Sequence, residues 1–282
     1  MSTTEEALKK AMEQKADEVR VRGDSLQHLV EEAVRNALAG SYKAQEQEAA
    51  SRSSSGPSER YPGKFVSVEE SGKSLQWYNG INSIGVNIKL KMGETNKKAI
   101  LFTSSVTGEG TTTVCSSVAL ALAKMSPGNV LLMDCNAKHP DIHNIFKTEA
   151  NPGVADILLG KINWEDAVRK SNRKNFFVLP FGQSSQESFS LLVSGRMEEL
   201  LKNFKAAFDF IFLDVPPILG NPEAETIAPW VDASVLIIEA NATRREVVIK
   251  AVERMLGQKD FLGAIYNKQV FIIPQFLYKR LK

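Results

Sequence analysis

The sequence predicts an α/β domain built on a parallel sheet with helices on both faces, preceded by a short helical N-terminal region. Three observations predict it. Apolar strand-like runs alternate with amphipathic helical stretches from about residue 75 onward. A glycine-rich loop joins the first strong strand to a helix. Two further strands end in aspartate. The runs 99–103, 129–134, 176–179, 208–214, 233–239 and 262–266 read as strands, and 112–124, 189–207 and 244–256 as helices. Strands that are apolar throughout, without in/out alternation, belong to a sheet covered on both sides.

The loop carries the first functional signal. AILFTSS runs into VTGEGTTTV and then into the helix. Gly108 and Gly110 allow a tight backbone turn with N–H groups pointing inward. The helix that follows aims its positive end at the same place. Strand, loop and helix together form an anion cradle of the P-loop kind, in which Gly108, Glu109, Gly110, Thr111, Thr112 and Thr113 are the expected nucleotide-binding residues. A P-loop normally has lysine directly after the second of these glycines, where it reaches the β- and γ-phosphates. Here that residue is Thr111, neutral and too short. Thr112 remains where a Mg²⁺-binding hydroxyl belongs.

NVLLMDCNAKHP ends its strand at Asp134, and FDFIFLDVPP does the same at Asp214. Ligands of open parallel sheets bind beyond the carboxyl ends of the strands. A carboxylate there can hold Mg²⁺ or its water, so Asp134 and Asp214 join Thr112 as candidate metal residues. Each aspartate also has an ordinary alternative, capping the turn that follows. Two such ends beside a glycine loop favour a site for ATP or ADP with Mg²⁺.

The rest of the chain narrows the reading. Residues 1–40 show two helical apolar periods and read as a helical pair that docks on a partner or on the main domain. Residues 41–74, polar and broken by Gly and Pro, read as a linker, with Phe65, Val66 and Val68 forming a brief extended contact. The α/β domain takes 75–282. A net charge of +2 gives no reason to expect nucleic acid. No apolar run approaches the roughly 20 residues needed to cross a bilayer. MSTTEEALKK lacks the apolar stretch of a secretion signal, so a cytoplasmic chain is expected. Cys115 and Cys135 read as buried, inert thiols. The end of the chain, FIIPQFLYKRLK, reads as a terminal strand and basic tail; a membrane-surface contact is the lesser alternative.

These segments, in this order, resemble the bacterial tyrosine kinases (BY-kinases) within the MinD/ParA-like group of P-loop ATPases. The family loop, approximately TSxxPGEGKST, corresponds to TSSVTGEGTTT. The second motif, approximately LLIDADLRRPxxHxxF, corresponds to LLMDCNAKHPDIHNIF, and the third, approximately FDxxIIDTPP, to FDFIFLDVPP. The likeness spans about residues 76–267. It implies catalytic or metal roles for Asp134 and Asp214, a direct Mg²⁺ contact for Thr112, and a place near the adenine base for Asn267. It also implies a role in making and exporting surface polysaccharide, with a membrane-embedded chain-length determinant as partner and a peripheral place at the inner membrane through that partner.

The departures from the family fall on charge. Lysine is replaced by Thr111, the second acid of the DxD element by Asn136, and its arginine partner by Lys138, which loses bidentate reach. Tyr278 alone remains of the tyrosine-rich tail. The ExxRxxR segment that joins family subunits into a ring reads QWYNGIN, with the amides Gln76, Asn79 and Asn82 at the charged positions. The leading expectation is therefore a degenerate member with little or no kinase activity, acting as a regulatory or scaffolding component. It can self-associate, but not as the charge-dependent ring. Two alternatives stay open: an active ATPase or tyrosine autokinase using another cation, with Lys97, Lys98 and Lys138 as candidates or a neighbouring subunit as donor, and a MinD/ParA-like positioning protein.

Overall fold

The computed structural model describes residues 65–66, 75–93, 97–183, 188–256 and 260–269. By its contacts the chain divides into Met1–Ala39 and Gly40–Lys282, and every described residue belongs to the second unit. The expected N-terminal helical pair, most of the linker, Tyr278 and the basic tail lie outside the described residues.

The strands are β1 (Phe65–Val66), β2 (Ala99–Ser104), β3 (Val130–Asp134), β4 (Arg169–Ser171), β5 (Phe176–Leu179), β6 (Phe210–Asp214), β7 (Ala233–Glu239) and β8 (Phe261–Asn267). They form one eight-stranded sheet in the order β1-β4-β5-β3-β6-β2-β7-β8. All pairings are parallel except that of β4 with β5. The central strands carry apolar residues on both faces because both faces are covered. Ile100, Phe102, Val130, Leu132, Phe212, Val235 and Ile237 share one core with two helices, α1 (Leu75–Gly93) and α2 (Thr111–Met125). The alternate residues face the other way. Phe177 there meets Phe208, with ring centroids 5.4 Å apart, and Phe208 in turn packs against Phe204 of α7 (Gly195–Ala207). The buried set Met197, Leu200, Leu201 and Phe204 gives α7 its inward stripe at helical spacing.

Three features depart from the sequence expectation. The segment 189–207 is two helices, α6 (Ser188–Leu192) and α7, because Ser194 takes an extended backbone (φ −84, ψ 158) and starts the second one. The helix α1 is obscured in the sequence by its glycines and amides. One of those glycines has a packing reason: a Cβ on Gly85 would stand 2.7 Å from the Met125 side chain of α2. The sheet is not wholly parallel, since the short polar strand β4 returns antiparallel to β5. The brief extended contact expected at Phe65 and Val66 is found: the two residues pair with β4 as an outer strand of the sheet.

Three more short helices complete the part of the chain that frames the site: α3 (Ile142–Ile145), α4 (Val154–Leu158) and α5 (Trp164–Ala167). Beyond β6 come α8 (Glu223–Ile227) and, after β7, α9 (Arg245–Leu256). Among the described residues no helix is long and apolar enough to cross a membrane.

Candidate nucleotide site

The loop after β2 has the geometry of a phosphate cradle. Gly108 (φ 91) and Gly110 (φ 90) both lie in the left-handed region, which disfavours any residue with a Cβ. Gly110 is doubly required, because a Cβ there would stand 2.3 Å from Asn267 Nδ2. Gly110 is the N-cap of α2 and supplies no side-chain cap. The first N–H groups of that helix, from Gly110 to Thr113, have no carbonyl one turn earlier to receive them. They and the helix dipole are available to an anion. The Gly110 carbonyl accepts from Val114 N at 3.0 Å, so the helix begins directly behind the loop.

Glu109 has a different place from the one its motif position suggests. Its side chain is 1% exposed and turns back under the loop. One carboxylate oxygen accepts from Ser105 N at 2.6 Å and Val106 N at 3.0 Å. The other accepts from Glu239 N at 3.1 Å and from the Thr243 hydroxyl. The carboxylate is consumed by these donors, so Glu109 shapes the loop and can face a nucleotide only through its backbone. Asn267 likewise holds the loop: its Nδ2 donates to the Glu109 carbonyl at 2.7 Å. The sequence reading missed Glu239, Thr243 and Lys268. Lys268 Nζ donates to the Gly108 carbonyl at 2.6 Å and pairs with the Glu239 carboxylate at 2.9 Å.

The two aspartates stand side by side, paired in register at the ends of β3 and β6. Their environments differ. Asp134 caps the following turn, accepting from Asn136 N at 3.0 Å and from Asp141 N and Ile142 N at 3.1 Å each. Burial nonetheless raises its pKa, with those three N–H groups pulling the other way. Asp214 is also buried, and neither of its carboxylate oxygens has a hydrogen-bond partner. Burial first, then the charge of Asp134, pushes its carboxyl well above the usual range; the Thr112 hydroxyl is the neighbour that favours its charged form. A buried carboxylate that no backbone N–H reaches, beside a second one and a threonine hydroxyl, is a place that a cation stabilises. Thr112 and Asp214 are the residues that would hold Mg²⁺ there. Among the described residues no group of three or more His, Cys, Asp or Glu could hold a metal ion by itself; phosphate and water oxygens would complete the shell of an ion held at this place.

The remaining sequence candidates separate cleanly. Asn136 accepts from His139 N at 3.2 Å and serves the same turn as Asp134. Lys138 reaches across from the β3 loop to the Asn221 side chain on the β6 loop, at the carboxyl end of the sheet. Lys97 and Lys98 precede β2 and so lie at the opposite end of that strand from the loop. Lys97 pairs with Asp260 at 2.7 Å, and Lys98 Nζ donates to the Lys205 carbonyl at 2.8 Å. Neither can serve the phosphates. Cys115 and Cys135 are free and buried, as expected.

The sheet order, the loop and the paired acids define a P-loop nucleotide-binding α/β fold whose loop lacks its lysine. Comparison with known proteins narrows the class. A family model described as an AAA domain matches residues 97–256. The tyrosine-protein kinase YwqD of Bacillus subtilis is 34% identical over 186 residues, which cover 66% of this chain and 78% of that protein. The solved kinase domain of VpsO is 30% identical, with a TM-score of 0.62, covering 67% of this chain and 94% of that one. The septum site-determining protein MinD of Pyrococcus horikoshii, solved with Mg-ADP, shares the fold at a TM-score of 0.52 and 22% identity, covering 65% of this chain and 76% of that one. The chain belongs to the bacterial tyrosine-protein kinase family and shares its fold with MinD.

Proposed function

We propose that this chain is a nucleotide-binding family member that has lost phosphoryl transfer. It serves as a regulatory or scaffolding component of exopolysaccharide or capsule synthesis and export, at the inner membrane through a membrane-embedded chain-length determinant. The observation that carries this reading is Thr111 in the lysine position of an otherwise complete cradle. The glycines, the helix start and the Asp134–Asp214 pair keep what is needed to hold a Mg-nucleotide. What is gone is the preorganised cation that stabilises charge developing on the transferred phosphoryl group. Losing one such stabiliser typically lowers a rate by roughly 100- to 1,000-fold. The neutral Asn136 and the neutral amides of α1 follow the same direction. The test is incubation of the full chain with radiolabelled Mg-ATP. Phosphate release and protein labelling should both stay at background. Tyrosine labelling that disappears in Asp214→Ala would show an active kinase.

One observation favours a second reading. Lys138 on the β3 loop donates to the Asn221 side chain on the β6 loop, so a cation joins the two loops that follow the Asp134 and Asp214 strands. An ATPase or autokinase that relies on Lys138 would lose its turnover in Lys138→Met, whereas the scaffolding reading expects no turnover to lose.

A further inference from the structure

The edge of the sheet opposite the cradle gathers cations. Helix α2 runs from the cradle to this edge and ends at Met125, just before β3. Toward β8 the charges are matched, with Lys97 paired to Asp260 at 2.7 Å and Lys205 to Asp232 at 2.6 Å. On the other half, four cations meet at the end of α2. Lys124 lies in its last turn. Lys89 of α1 donates from Nζ to the Met125 carbonyl at 3.2 Å. Arg173 and Lys174 lie in the turn between β4 and β5. The next residue, Asn175, ties that turn to the same segment: its Nδ2 donates to the carbonyls of Ala123 at 2.9 Å, Ser126 at 2.8 Å and Gly128 at 3.0 Å. The acid beside the segment, Asp209, accepts from Asn129 N at 2.8 Å.

Cations at a helix C-terminus commonly serve its dipole and its last carbonyls. Here other groups do much of that work. The carbonyls of Leu122, Ala123 and Met125 are taken by Ser126 N, Asn175 Nδ2 and Lys89 Nζ. The turn that carries Arg173 is held by backbone: the Ser171 hydroxyl donates to the Arg173 carbonyl at 3.0 Å and accepts from Arg173 N at 3.1 Å. Capping and turn formation therefore leave the charges of Arg173 and Lys174 without a structural task. Lys124 and Lys174 are exposed and Arg173 is half-buried. Three of the four cations are lysines, point charges on flexible stems that lack the planar fork with which arginine grips one carboxylate. Spread over two helices and a turn, they suit the diffuse negative charge of an acidic bilayer better than a single acidic side chain. A bilayer against this edge leaves the cradle, at the other end of the strands, facing away from it.

We propose that the edge formed by Lys89, Lys124, Arg173 and Lys174 is a contact surface for anionic lipid headgroups, through which the chain touches a membrane directly, without a protein partner. Nucleotide binding and the loss of phosphoryl transfer are independent of it. The test is cosedimentation of the full chain with vesicles of phosphatidylcholine and phosphatidylglycerol in equal parts, with vesicles of phosphatidylcholine alone, and retention on immobilised poly-glutamate. Each Lys or Arg near an anionic membrane adds about fivefold in affinity. Arg173→Gln/Lys174→Gln should therefore weaken binding to the mixed vesicles by about 25-fold. Lys161→Gln/Arg245→Gln removes as much charge from the cradle end of the domain, after α4 and at the start of α9, and should stay within about twofold of wild type. Lys124→Gln, on the helix, should lose about fivefold and carries the decision if the turn variant does not fold. Added salt should release the wild type. Mixed-vesicle binding that Arg173→Gln/Lys174→Gln leaves unchanged, equal loss in both double variants, or equal binding to phosphatidylcholine alone would overturn the inference. Wild type that ignores both vesicles would overturn it too, and retention on poly-glutamate in that case would assign the edge to an acidic protein instead.

Discussion

Removing the Glu109 carboxylate should destabilise the protein and deform the loop without touching a ligand. In Glu109→Ala the N–H groups of Ser105, Val106 and Glu239 lose their acceptor, and so does the Thr243 hydroxyl. Val106 is 39% exposed and its N–H can turn to water, but Ser105 is fully buried. Each buried donor left unsatisfied costs about 1–3 kcal/mol. Counting Ser105 and Glu239, with a smaller loss at Thr243, gives about 3–5 kcal/mol. At about 2–4 °C per kcal/mol for a domain of this size, Tm should fall by about 10 °C. Glu109→Gln is the informative companion. Its amide keeps one acceptor oxygen for Ser105 and Val106 but turns an NH₂ group toward the Glu239 N–H, so about half the loss should remain. Differential scanning calorimetry on both variants reads this directly. If Glu109→Ala melts within about 2 °C of wild type, the carboxylate is not what holds the loop.

Three further outcomes follow from the same geometry. Thr111→Lys restores a cation at the cradle and should tighten Mg-ATP by about tenfold or more while moving Mg-ADP less; with Asn136→Asp it should show more turnover than the single changes predict, because residues of one site couple. Asp232→Ala should cost about 2–3 kcal/mol at pH 7, since its carboxylate holds the N–H groups of Lys98 and Ala99 and the Lys205 ammonium. Partial burial raises the Asp232 pKa, but these partners outweigh it and the net shift is downward. Its stabilisation is therefore present above the ordinary carboxylate pKa and lost as pH falls through the lower folded value, so wild type and variant should converge in acid denaturation below about pH 4. The purified chain should not form a ring of the family's charge-dependent kind, because Asn79 and Asn82 present neutral amides on the exposed side of α1; light scattering that finds a stable octamer, dissociated by salt, would contradict this.

How much of this was legible in the sequence depended on whether one residue's type decides its role. The central strands were legible because a doubly covered strand must be apolar along its whole length. The glycine loop was legible because positive φ at Gly108 and Gly110 demands glycine. Strand β4 was not: Arg169–Ser171 is short and polar, and its pairing with β5 comes from tertiary context. Asp134 and Asp214 look alike in sequence, yet one caps a turn and the other is reached by no backbone N–H, a difference set by what the chain does after each strand. Glu109 sits in the motif like a ligand contact, and only its burial shows that it serves the loop. Lys268 carried no signal beyond following Asn267, since its role rests on a backbone turn that no spacing encodes.

We infer that the phosphate cradle keeps its shape without its cation. Calorimetric titration of the wild-type full chain with Mg-ADP and Mg-ATP, at one salt concentration, tests it most directly. Both nucleotides should bind, and Mg-ADP should bind at least as tightly as Mg-ATP, because the absent lysine acts mainly at the β/γ end. No binding of either nucleotide, or Mg-ATP binding tighter than Mg-ADP by about tenfold, which is 1.4 kcal/mol, would contradict the account.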